Sequence, residues 1–374
     1  MNTDHILLEA KSISAGYRKQ IVVDDISFTL HAGEVLTLIG PNGAGKSTVL
    51  KTIANQLDLI SGDAVICGRS VQDQTEKELA RQISVLLTDR ITAEQMSCFD
   101  VTAAGRYPYT GLLGMLSEQD KQIVRDALKM VGADDLADAS FSRISDGQRQ
   151  SVMLARAIAQ EPKVLLLDEP TSYLDISRKL DFLCLLRKLS RDRGIAVIQS
   201  LHELDLAQRF SDKLLCIRDG RAQRFGTPDI IFSGDYITEL YNIRNGRYDP
   251  LYGTSEPSAY TGQPQVFVIG GGGTAIPVYR KLYRAGIPFA TGVIHENDLD
   301  YPAAKALAAD LITAPSFEPI PDEAFRSACE IMQQCETVIC TLDVFGSMNL
   351  ANQKLRNLAE QINKLQTDKE KQPS

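Results

Sequence analysis

The sequence predicts an α/β protein built from a larger unit with a mostly parallel sheet and a smaller α/β unit that follows it. Short apolar runs alternate with segments of helical period along the N-terminal part of the 374-residue chain, which is typical of parallel strands joined by helices. The segment 249–264, DPLYGTSEPSAYTGQP, is rich in Pro, Gly and Ser and has no period, which predicts a linker. A new strand-loop-helix pattern starts at residue 265. We therefore expect domains at 1–248 and 265–363.

Length and composition exclude several classes of protein. The chain has 40 basic and 48 acidic side chains and a net charge of −8, which argues against nucleic acid as the main partner. No stretch approaches the ~20 apolar residues that span a bilayer, and the N-terminus has no basic leader. The seven cysteines are scattered without a C-x-x-C pair, which predicts reduced thiols. We expect a cytoplasmic protein that does not cross the membrane by itself.

The elements of the larger unit follow in a regular order. Residues 4–39 contain the runs ILLEAKSIS, IVVDDISFTL and EVLTLIG, which predict strands leading to a buried strand, with a helix after Gly40. Between about 89 and 160 the pattern becomes helical, as in EQDKQIVRDALKMV, which predicts an inserted helical subdomain. The segments VLLLD, SRKLDFLCLLRKLSRD and IAVIQSL continue the alternation, and Asp219-Gly220 predicts a hairpin turn.

A glycine-rich string between a predicted strand and helix indicates a nucleotide site. It fits G-x-x-x-x-G-K-[ST] and comprises Gly40, Pro41, Asn42, Gly43, Ala44, Gly45, Lys46, Ser47 and Thr48. Glycines let successive backbone N–H groups surround phosphate oxygens, and the helix N-terminus adds partial positive charge. We expect Lys46 to contact the terminal phosphates and Ser47 to ligate Mg²⁺.

The run VLLLDEP, residues 164–170, predicts the second half of this site. A fully apolar strand that ends in two acids points them at the carboxyl edge of the sheet, where ligands of open α/β sheets bind. We expect Asp168 to hold Mg²⁺ through water and Glu169 to act as general base toward the attacking water. A plain strand-to-turn exit with solvated acids is the alternative.

The order of these motifs, followed by SDGQ at 145–148, LLLDEPTSYLD and His202, resembles the ATP-binding cassette (ABC) family over residues 4–248. The resemblance implies a P-loop NTPase cassette with antiparallel β and helical subdomains. It also implies a head-to-tail homodimer that shares two Mg·ATP, in which the signature segment of one subunit caps the γ-phosphate held by the other. The signature residues would be Ser145, Asp146, Gly147 and Gln148.

The same resemblance assigns roles to single residues. Tyr17 matches the aromatic residue that stacks on adenine, and a packed tyrosine is the alternative. Asp175 matches the loop that communicates between the two sites. His202 matches the residue that holds the γ-phosphate and orients Glu169 and water. The chain departs from the family pattern twice: Asp146 replaces a glycine, and we expect it to turn away and act as an N-terminal helix residue. The second departure is Thr88, which stands where the family has the glutamine that contacts Mg²⁺ and the attacking water.

The segment AAGRYPYTGLLG at 103–114 resembles the importer branch for ferric siderophores, haem and cobalamin. It implies integral permease subunits, and through them a substrate-binding protein, as partners at the inner face of the membrane. Arg106, Tyr107 and Tyr109 would then lie near the docking surface, and an ordinary loop is the alternative. A soluble cassette ATPase acting on nucleic acid or ribosomes is a rival hypothesis, but the sequence has no coiled-coil insertion, second cassette or basic face.

Residues 265–363 predict a small Rossmann-like unit. Gly270-x-Gly272-x-x-Ala275 follows a strand and opens a helix, and Glu296 ends the next strand, near the place of a ribose-binding acid. Nucleotide or effector sensing, packing or dimer contact, and independent catalysis all stay open, because a glycine-rich turn also permits plain close packing. Residues 364–374 are predicted to be a flexible tail.

Overall fold

The computed structural model describes residues 5–18, 20–87, 95–111, 114–172 and 174–366. The chain divides into two compact units, Met1–Tyr241 and Asn242–Ser374. Among the helices of the described ranges, none is long and apolar enough to cross a membrane.

The first unit contains strands and helices in alternation. Its strands are β1 (Ile6–Tyr17), β2 (Gln20–His31), β3 (Val35–Ile39), β4 (Leu59–Ile66), β5 (Arg69–Ser70), β6 (Ile83–Leu86), β7 (Val164–Leu167), β8 (Ala196–Ser200), β9 (Lys213–Arg218) and β10 (Arg221–Gly226). Its helices are α1 (Lys46–Ile53), α2 (Glu76–Ala80), α3 (Cys98–Ala103), α4 (Glu118–Met130), α5 (Asp146–Ala159), α6 (Ile176–Arg193), α7 (Leu204–Phe210), α8 (Pro228–Ile231) and α9 (Tyr236–Leu240).

Two sheets form the core of this unit. An antiparallel sheet has the strand order β2-β1-β4-β5, and a second sheet has the order β10-β9-β3-β8-β7-β6. In the second sheet β6, β7, β8, β3 and β9 run parallel, and β10 closes it antiparallel through the predicted Asp219-Gly220 hairpin. One apolar cluster joins both sheets and α1. The predicted combination of a parallel sheet with an antiparallel β subdomain is confirmed.

Helices lie between β6 and β7, where the sequence predicts a helical subdomain. The helices α3, α4 and α5 pack against one another. The predicted helical segment EQDKQIVRDALKMV contains α4, in which Val124, Ala127 and Leu128 are buried. A 3₁₀ helix, Ala104–Tyr109, follows α3 and contains Pro108.

The second unit begins with an antiparallel hairpin, β11 (Gly246–Asp249) and β12 (Thr254–Pro257). The linker prediction for 249–264 therefore differs from the structure: the unit boundary lies after Tyr241, and part of that segment is a paired strand. The Asp249 carboxylate accepts hydrogen bonds from the N–H groups of Leu251 and Tyr252 at 2.9 and 3.3 Å, so the polar, glycine-containing composition makes a turn.

The rest of the second unit is a parallel α/β layer structure. Its strands are β13 (Val266–Ile269), β14 (Phe289–His295), β15 (Asp310–Ala314), β16 (Thr337–Cys340) and β17 (Leu365–Gln366), in the order β15-β14-β13-β16-β17. Its helices are α10 (Ile276–Arg284), α11 (Tyr301–Leu307), α12 (Asp322–Gln334) and α13 (Leu350–Gln361). Alternate residues of β13 pack with α10 and α11 on one face and with α12 and α13 on the other. Residues 367–374 of the predicted tail lie outside the described residues.

Candidate active site at the glycine-rich loop

The glycine-rich loop joins β3 to α1 at the carboxyl edge of the parallel sheet. Gly40, Gly43 and Gly45 have φ angles of +148°, +77° and +105°, which L-residues with side chains rarely adopt. A Cβ at Gly40 would lie 1.9 Å from the carbonyl oxygen of Ile217, and one at Gly45 would lie 2.4 Å from Cγ1 of Val23. The loop therefore requires glycine at these points, and its backbone leads directly into the helix N-terminus.

Lys46 opens α1 and folds back into the loop. Its Nζ donates hydrogen bonds to the carbonyl oxygens of Gly40 (2.8 Å) and Pro41 (3.0 Å), and the residue is only 6% exposed. Burial lowers the pKa of Lys46, because it removes the ammonium from water, while Glu169 and Asp168 act in the opposite direction. The ammonium is thus close to both acids and inside the loop that the sequence assigns to phosphates.

The two acids follow β7, all of whose residues are buried. Asp168 is 6% exposed, and its carboxylate Oδ1 accepts a hydrogen bond from the Ser200 hydroxyl at 2.8 Å. The same hydroxyl accepts a hydrogen bond from the N–H of Glu169 at 2.8 Å. Glu169 has φ +48°, an uncommon conformation for a residue with a side chain. Ser200 therefore holds both acids from the neighbouring strand.

Sequence reasoning missed Ser200. It is the last residue of β8, which pairs in parallel with β7 in a register that matches Leu167 with Gln199. The signal that could have found it is the polar pair Gln199-Ser200 directly after the apolar run IAVI. Using that signal requires knowing that β7 and β8 are neighbours, which only the sheet order provides.

His202 contacts Glu169 as the resemblance implies. The His202 Nε2 lies 2.5 Å from Oε1 of Glu169, and the Ser172 hydroxyl donates to Oε2 of the same carboxylate at 3.2 Å. Both oxygens of Glu169 are therefore oriented by polar side chains, which suits a group that must meet a water in a fixed position.

The loop that presents His202 is held from α6. The carboxylate of Glu203 accepts hydrogen bonds from Lys179 and, at 3.2 Å, from the Thr171 hydroxyl. Burial by itself would raise the pKa of Glu203, but the bonds from Lys179 and Thr171 outweigh it and the pKa is lowered. Glu203 is thus an ionised anchor directly after His202, and the sequence analysis did not identify it.

The donor set fits Mg²⁺. Ser47 lies on the first turn of α1, directly after Lys46, and the Lys46 ammonium interacts with the Asp168 carboxylate. The available ligands are therefore a hydroxyl and a carboxylate, the oxygen donors that Mg²⁺ prefers. Within the described residues there is no group of three or more His, Cys, Asp or Glu that could hold a metal ion.

The signature segment forms the N-terminus of α5. Ser145 is the N-cap: its hydroxyl accepts from the N–H of Gln148 at 3.3 Å, and its own N–H donates to Oε1 of Gln148 at 2.9 Å. Asp146 lies in the first turn and pairs with Arg149 at 2.9 Å, so it acts as the N-terminal helix residue that the sequence predicts. Asp175 caps α6 in the same way by accepting from the N–H of Arg178 at 2.9 Å.

Tyr17 and Thr88 are the other residues of the first unit that the sequence assigns to the nucleotide site. Tyr17 ends β1 and is 48% exposed, so its ring is accessible. Thr88 lies outside the described residues, and its comparison with glutamine stays a prediction.

The prediction that Arg106 lies on a docking surface is wrong. The residue is 5% exposed, and its guanidinium forms ion pairs with Asp120 and Glu161, both at 2.8 Å. Tyr109 is half-buried, with its ring 4.1 Å from the Arg106 guanidinium and its hydroxyl bonded to a backbone carbonyl. Arg106 therefore stabilises the helical subdomain, because a buried cation needs paired carboxylates. Tyr107 is 77% exposed and is the member of the trio available to a partner.

The glycine-rich loop of the second unit is occupied by the unit's own acids. The N–H of Gly272 donates to both carboxylate oxygens of Asp298 at 2.9 Å, and Asp300 accepts from the N–H groups of Ala275 and Ile276 at 3.1 to 3.2 Å. Asp300 is fully buried, and burial raises the pKa of its carboxyl. These carboxylates take the place at the helix N-terminus where a pyrophosphate would bind, and they would repel one.

The ligand prediction for Gly270, Gly272 and Glu296 is weakened accordingly. A Cβ at Gly270 would lie 2.3 Å from the Cβ of Ala275, so this glycine permits close packing of strand and helix. Glu296 lines a separate cavity of about 240 Å³ with Tyr301 and Lys305. The packing interpretation of the loop agrees better with these contacts than dinucleotide binding does.

A glycine loop with a buried lysine, two acids at the end of the adjacent strand and a histidine beside the second acid defines a P-loop ATPase. A family model described as ABC transporter matches residues 23–172, and one described as the MJ0874 family matches residues 289–371. An uncharacterized ABC transporter ATP-binding protein of Methanocaldococcus jannaschii is 41% identical over 74% of this chain and 96% of that protein. The chain belongs to the ATP-binding proteins of ABC transporters and is an ATP-hydrolysing cassette.

Other relatives and solved structures agree with this family. The cobalamin import ATP-binding protein BtuD of Halobacterium salinarum is 31% identical over 82% of this chain and 78% of its own length. The ferric enterobactin transport ATP-binding protein FepC of Escherichia coli is 34% identical over 66% of this chain and 92% of its own. Among structures, an ATP-binding subunit of an ABC transporter is 28% identical with a TM-score of 0.55, covering 66% of this chain and 98% of that one. A dimeric bacterial ABC transporter cassette is 25% identical with a TM-score of 0.54, covering 59% and 99%.

Proposed function

We propose that this protein is the ATP-hydrolysing subunit of an importer that takes up an iron chelate, haem or cobalamin through separate permease subunits. The observation that supports turnover best is the contact of Glu169 with His202, next to Asp168 and the loop that holds Lys46. The names of the relatives that import cobalamin and ferric enterobactin support the class of cargo. They also favour transport over the rival hypothesis of a soluble ATPase that acts on nucleic acid or ribosomes.

Each group of the site has a distinct task in hydrolysis. The loop N–H groups and Lys46 bind the β- and γ-phosphates. Ser47 and, through water, Asp168 would hold Mg²⁺, which would supply positive charge against the negative charge that develops on the phosphates. Glu169 accepts a proton from the attacking water, and His202 keeps that carboxylate in place and contacts the γ-phosphate. The bond between the γ-phosphorus and the bridging oxygen breaks, which releases ADP and phosphate.

The active form is proposed to be a head-to-tail homodimer with two Mg·ATP. Ser145 and Asp146 are exposed at the N-terminus of α5, so this helix N-terminus is accessible to an anion on a second subunit. The similarity to a dimeric ABC transporter cassette supports this arrangement. Exposed Tyr17 would stack on the adenine.

The permease is proposed to dock on a groove between the sheet core and the helical subdomain. The groove has a volume of about 450 Å³, and its lining includes Glu76, Leu79, Met153, Arg156 and Gln160. The 3₁₀ helix Ala104–Tyr109, with exposed Tyr107, contacts α2, which supplies part of the lining of this groove. Apolar walls with charged groups suit a helix from an integral membrane subunit, which would place the protein at the inner face of the membrane.

The variant Glu169→Gln tests the proposed reaction. Removing the general base is expected to abolish steady-state ATP hydrolysis while ATP still binds, so that an ATP-dependent dimer accumulates in size-exclusion chromatography. Glu330→Gln, an exposed substitution of the same type in the second unit, is the control. Full ATP turnover in Glu169→Gln would contradict the mechanism. Purification from native membranes is expected to recover a permease, and recovery of ribosomes or DNA instead would favour the rival hypothesis.

A further inference from the structure

Arg178 lies against the signature segment of its own subunit. An added Cβ at Gly147 would lie 2.2 Å from Nη1 of Arg178, 3.1 Å from its Cδ and 3.2 Å from its Cζ. Three atoms of the Arg178 side chain therefore lie close to the place where a side chain at position 147 would begin. Gly147 is buried, whereas Ser145 and Asp146 are exposed. Arg178 therefore contacts the buried side of the signature segment and leaves its exposed side open.

The same arginine is bound to Asp175 at the N-terminus of α6. The Asp175 Oδ1 accepts from the N–H of Arg178 at 2.9 Å, and its Oδ2 lies 3.8 Å from the Arg178 Nε. Asp175 therefore sets the direction in which the guanidinium leaves the helix. Because the Arg178 side chain is 48% exposed, this ion pair adds little to stability, and its effect is on position.

A cavity lies beside this contact. It has a volume of about 390 Å³, lies between the end of α4, the first turns of α5 and the start of α6, and its lining includes Arg178, Gly147, Gln148, Leu174 and Phe182. Apolar packing is incomplete where the first turn of α5 faces α6. The Arg178 side chain lines this cavity and lies against Gly147, so it is well placed to determine the distance between the N-termini of α5 and α6.

We propose that Arg178 is a positioning residue that couples the Asp175 segment to the signature segment within one subunit. It holds Gly147 so that the helix N-terminus with Ser145 meets the γ-phosphate bound by the other subunit. This inference rests on the proposed head-to-tail dimer. A movement of the Asp175 segment is transmitted to the signature segment through the Arg178 side chain. ATP binding by the glycine loop of the same subunit does not depend on Arg178.

A double-mutant cycle with Arg178→Ala and Gly147→Ala tests the contact. Arg178→Ala deletes the side chain, and Gly147→Ala displaces it with a methyl group. Each single variant is expected to lower kcat about tenfold with the KM for ATP unchanged. The kcat of the double variant is expected to lie about tenfold, rather than about a hundredfold, below that of the wild type. Lys188→Ala, an exposed residue of the same helix, is the control. A multiplicative loss, or an unchanged kcat in Arg178→Ala, would overturn the proposal.

Dimerisation separates this inference from the function on which it rests. In the Glu169→Gln background, ATP is expected to drive dimer formation, and adding Arg178→Ala is expected to raise the dimer dissociation constant about tenfold. If Glu169→Gln does not dimerise with ATP, the proposed dimer is wrong. If it dimerises and Arg178→Ala leaves the dissociation constant unchanged, only the positioning role of Arg178 is wrong.

Discussion

Replacing Ser200 with alanine removes one hydroxyl that serves both acids of the site. The hydroxyl donates to Asp168 and accepts from the N–H of Glu169, both at 2.8 Å, and the residue is fully buried. Alanine leaves a buried carboxylate oxygen and a buried N–H without this partner. Each such loss costs about 1–3 kcal/mol, so we expect the free energy of unfolding to fall by about 2–4 kcal/mol.

We expect Ser200→Ala to slow ATP hydrolysis because the two acids lose their orientation, and not because the protein unfolds. Without the hydroxyl, Asp168 and Glu169 are no longer oriented from β8, and loss of a group that orients a metal ligand typically lowers activity about 10- to 100-fold. We expect a decrease of that size in kcat, together with a higher Mg²⁺ concentration for half-maximal activity. The KM for ATP should change little, because the glycine loop is unaltered. Steady-state hydrolysis at varied ATP and Mg²⁺ measures all three quantities.

Ser190→Ala is the matched control for this prediction. Ser190 is also fully buried, but its hydroxyl has no hydrogen-bond partner among the residues that the structure describes. Removing it should leave kcat unchanged and leave the free energy of unfolding equal or slightly higher, because an unpaired buried hydroxyl is unfavourable. If Ser200→Ala and Ser190→Ala have the same kcat and the same urea midpoint, the assigned role of Ser200 is refuted.

Three further substitutions test the buried position of Arg106 and the second glycine-rich loop. Arg106→Ala should lower the free energy of unfolding by about 3–5 kcal/mol, because it leaves the buried Asp120 carboxylate unpaired, whereas Tyr107→Ala at an exposed position should leave it unchanged. Equal urea midpoints for the two variants would contradict the structural role of Arg106. With ATP saturating the first unit, wild-type protein should show no heat of binding with NAD or NADP attributable to the second unit. Asp298→Ala frees the N–H of Gly272 and should permit weak binding of inorganic phosphate, and tight NAD binding by the wild type would refute the packing interpretation.

The chemistry of the nucleotide site could be predicted because it depends on residues that are close in the chain. The glycines, Lys46 and Ser47 form one strand-loop-helix segment, and their roles follow from backbone conformation and charge over a few residues. The acids after β7 were also recognisable, since an apolar run that ends in two carboxylates has few other uses in a buried strand. The capping role of Asp146 likewise needed only its place at a helix start.

The wrong and missed assignments all depend on distant pairs. Arg106 looks like a surface residue in its own loop, and only packing against Asp120 and Glu161 shows that its charge is neutralised inside the fold. Ser200 acquires its role from being next to β7, which is far away in sequence. Strand order and long-range ion pairs depend on tertiary packing, which local periodicity does not encode.

The sequence alone determined the class of chemistry, the nucleotide and the division into α/β units, because phosphate binding and hydrophobic periodicity are local properties of a chain. Tertiary structure decided which groups orient the acids, which arginine supports the signature segment, and that Asp298 and Asp300 occupy the second glycine loop. A backbone N–H in a glycine-rich loop can donate its hydrogen bond to a ligand or to a carboxylate of the protein itself, and the local sequence pattern is the same in both cases. Only the folded chain shows whether a carboxylate lies within hydrogen-bond distance.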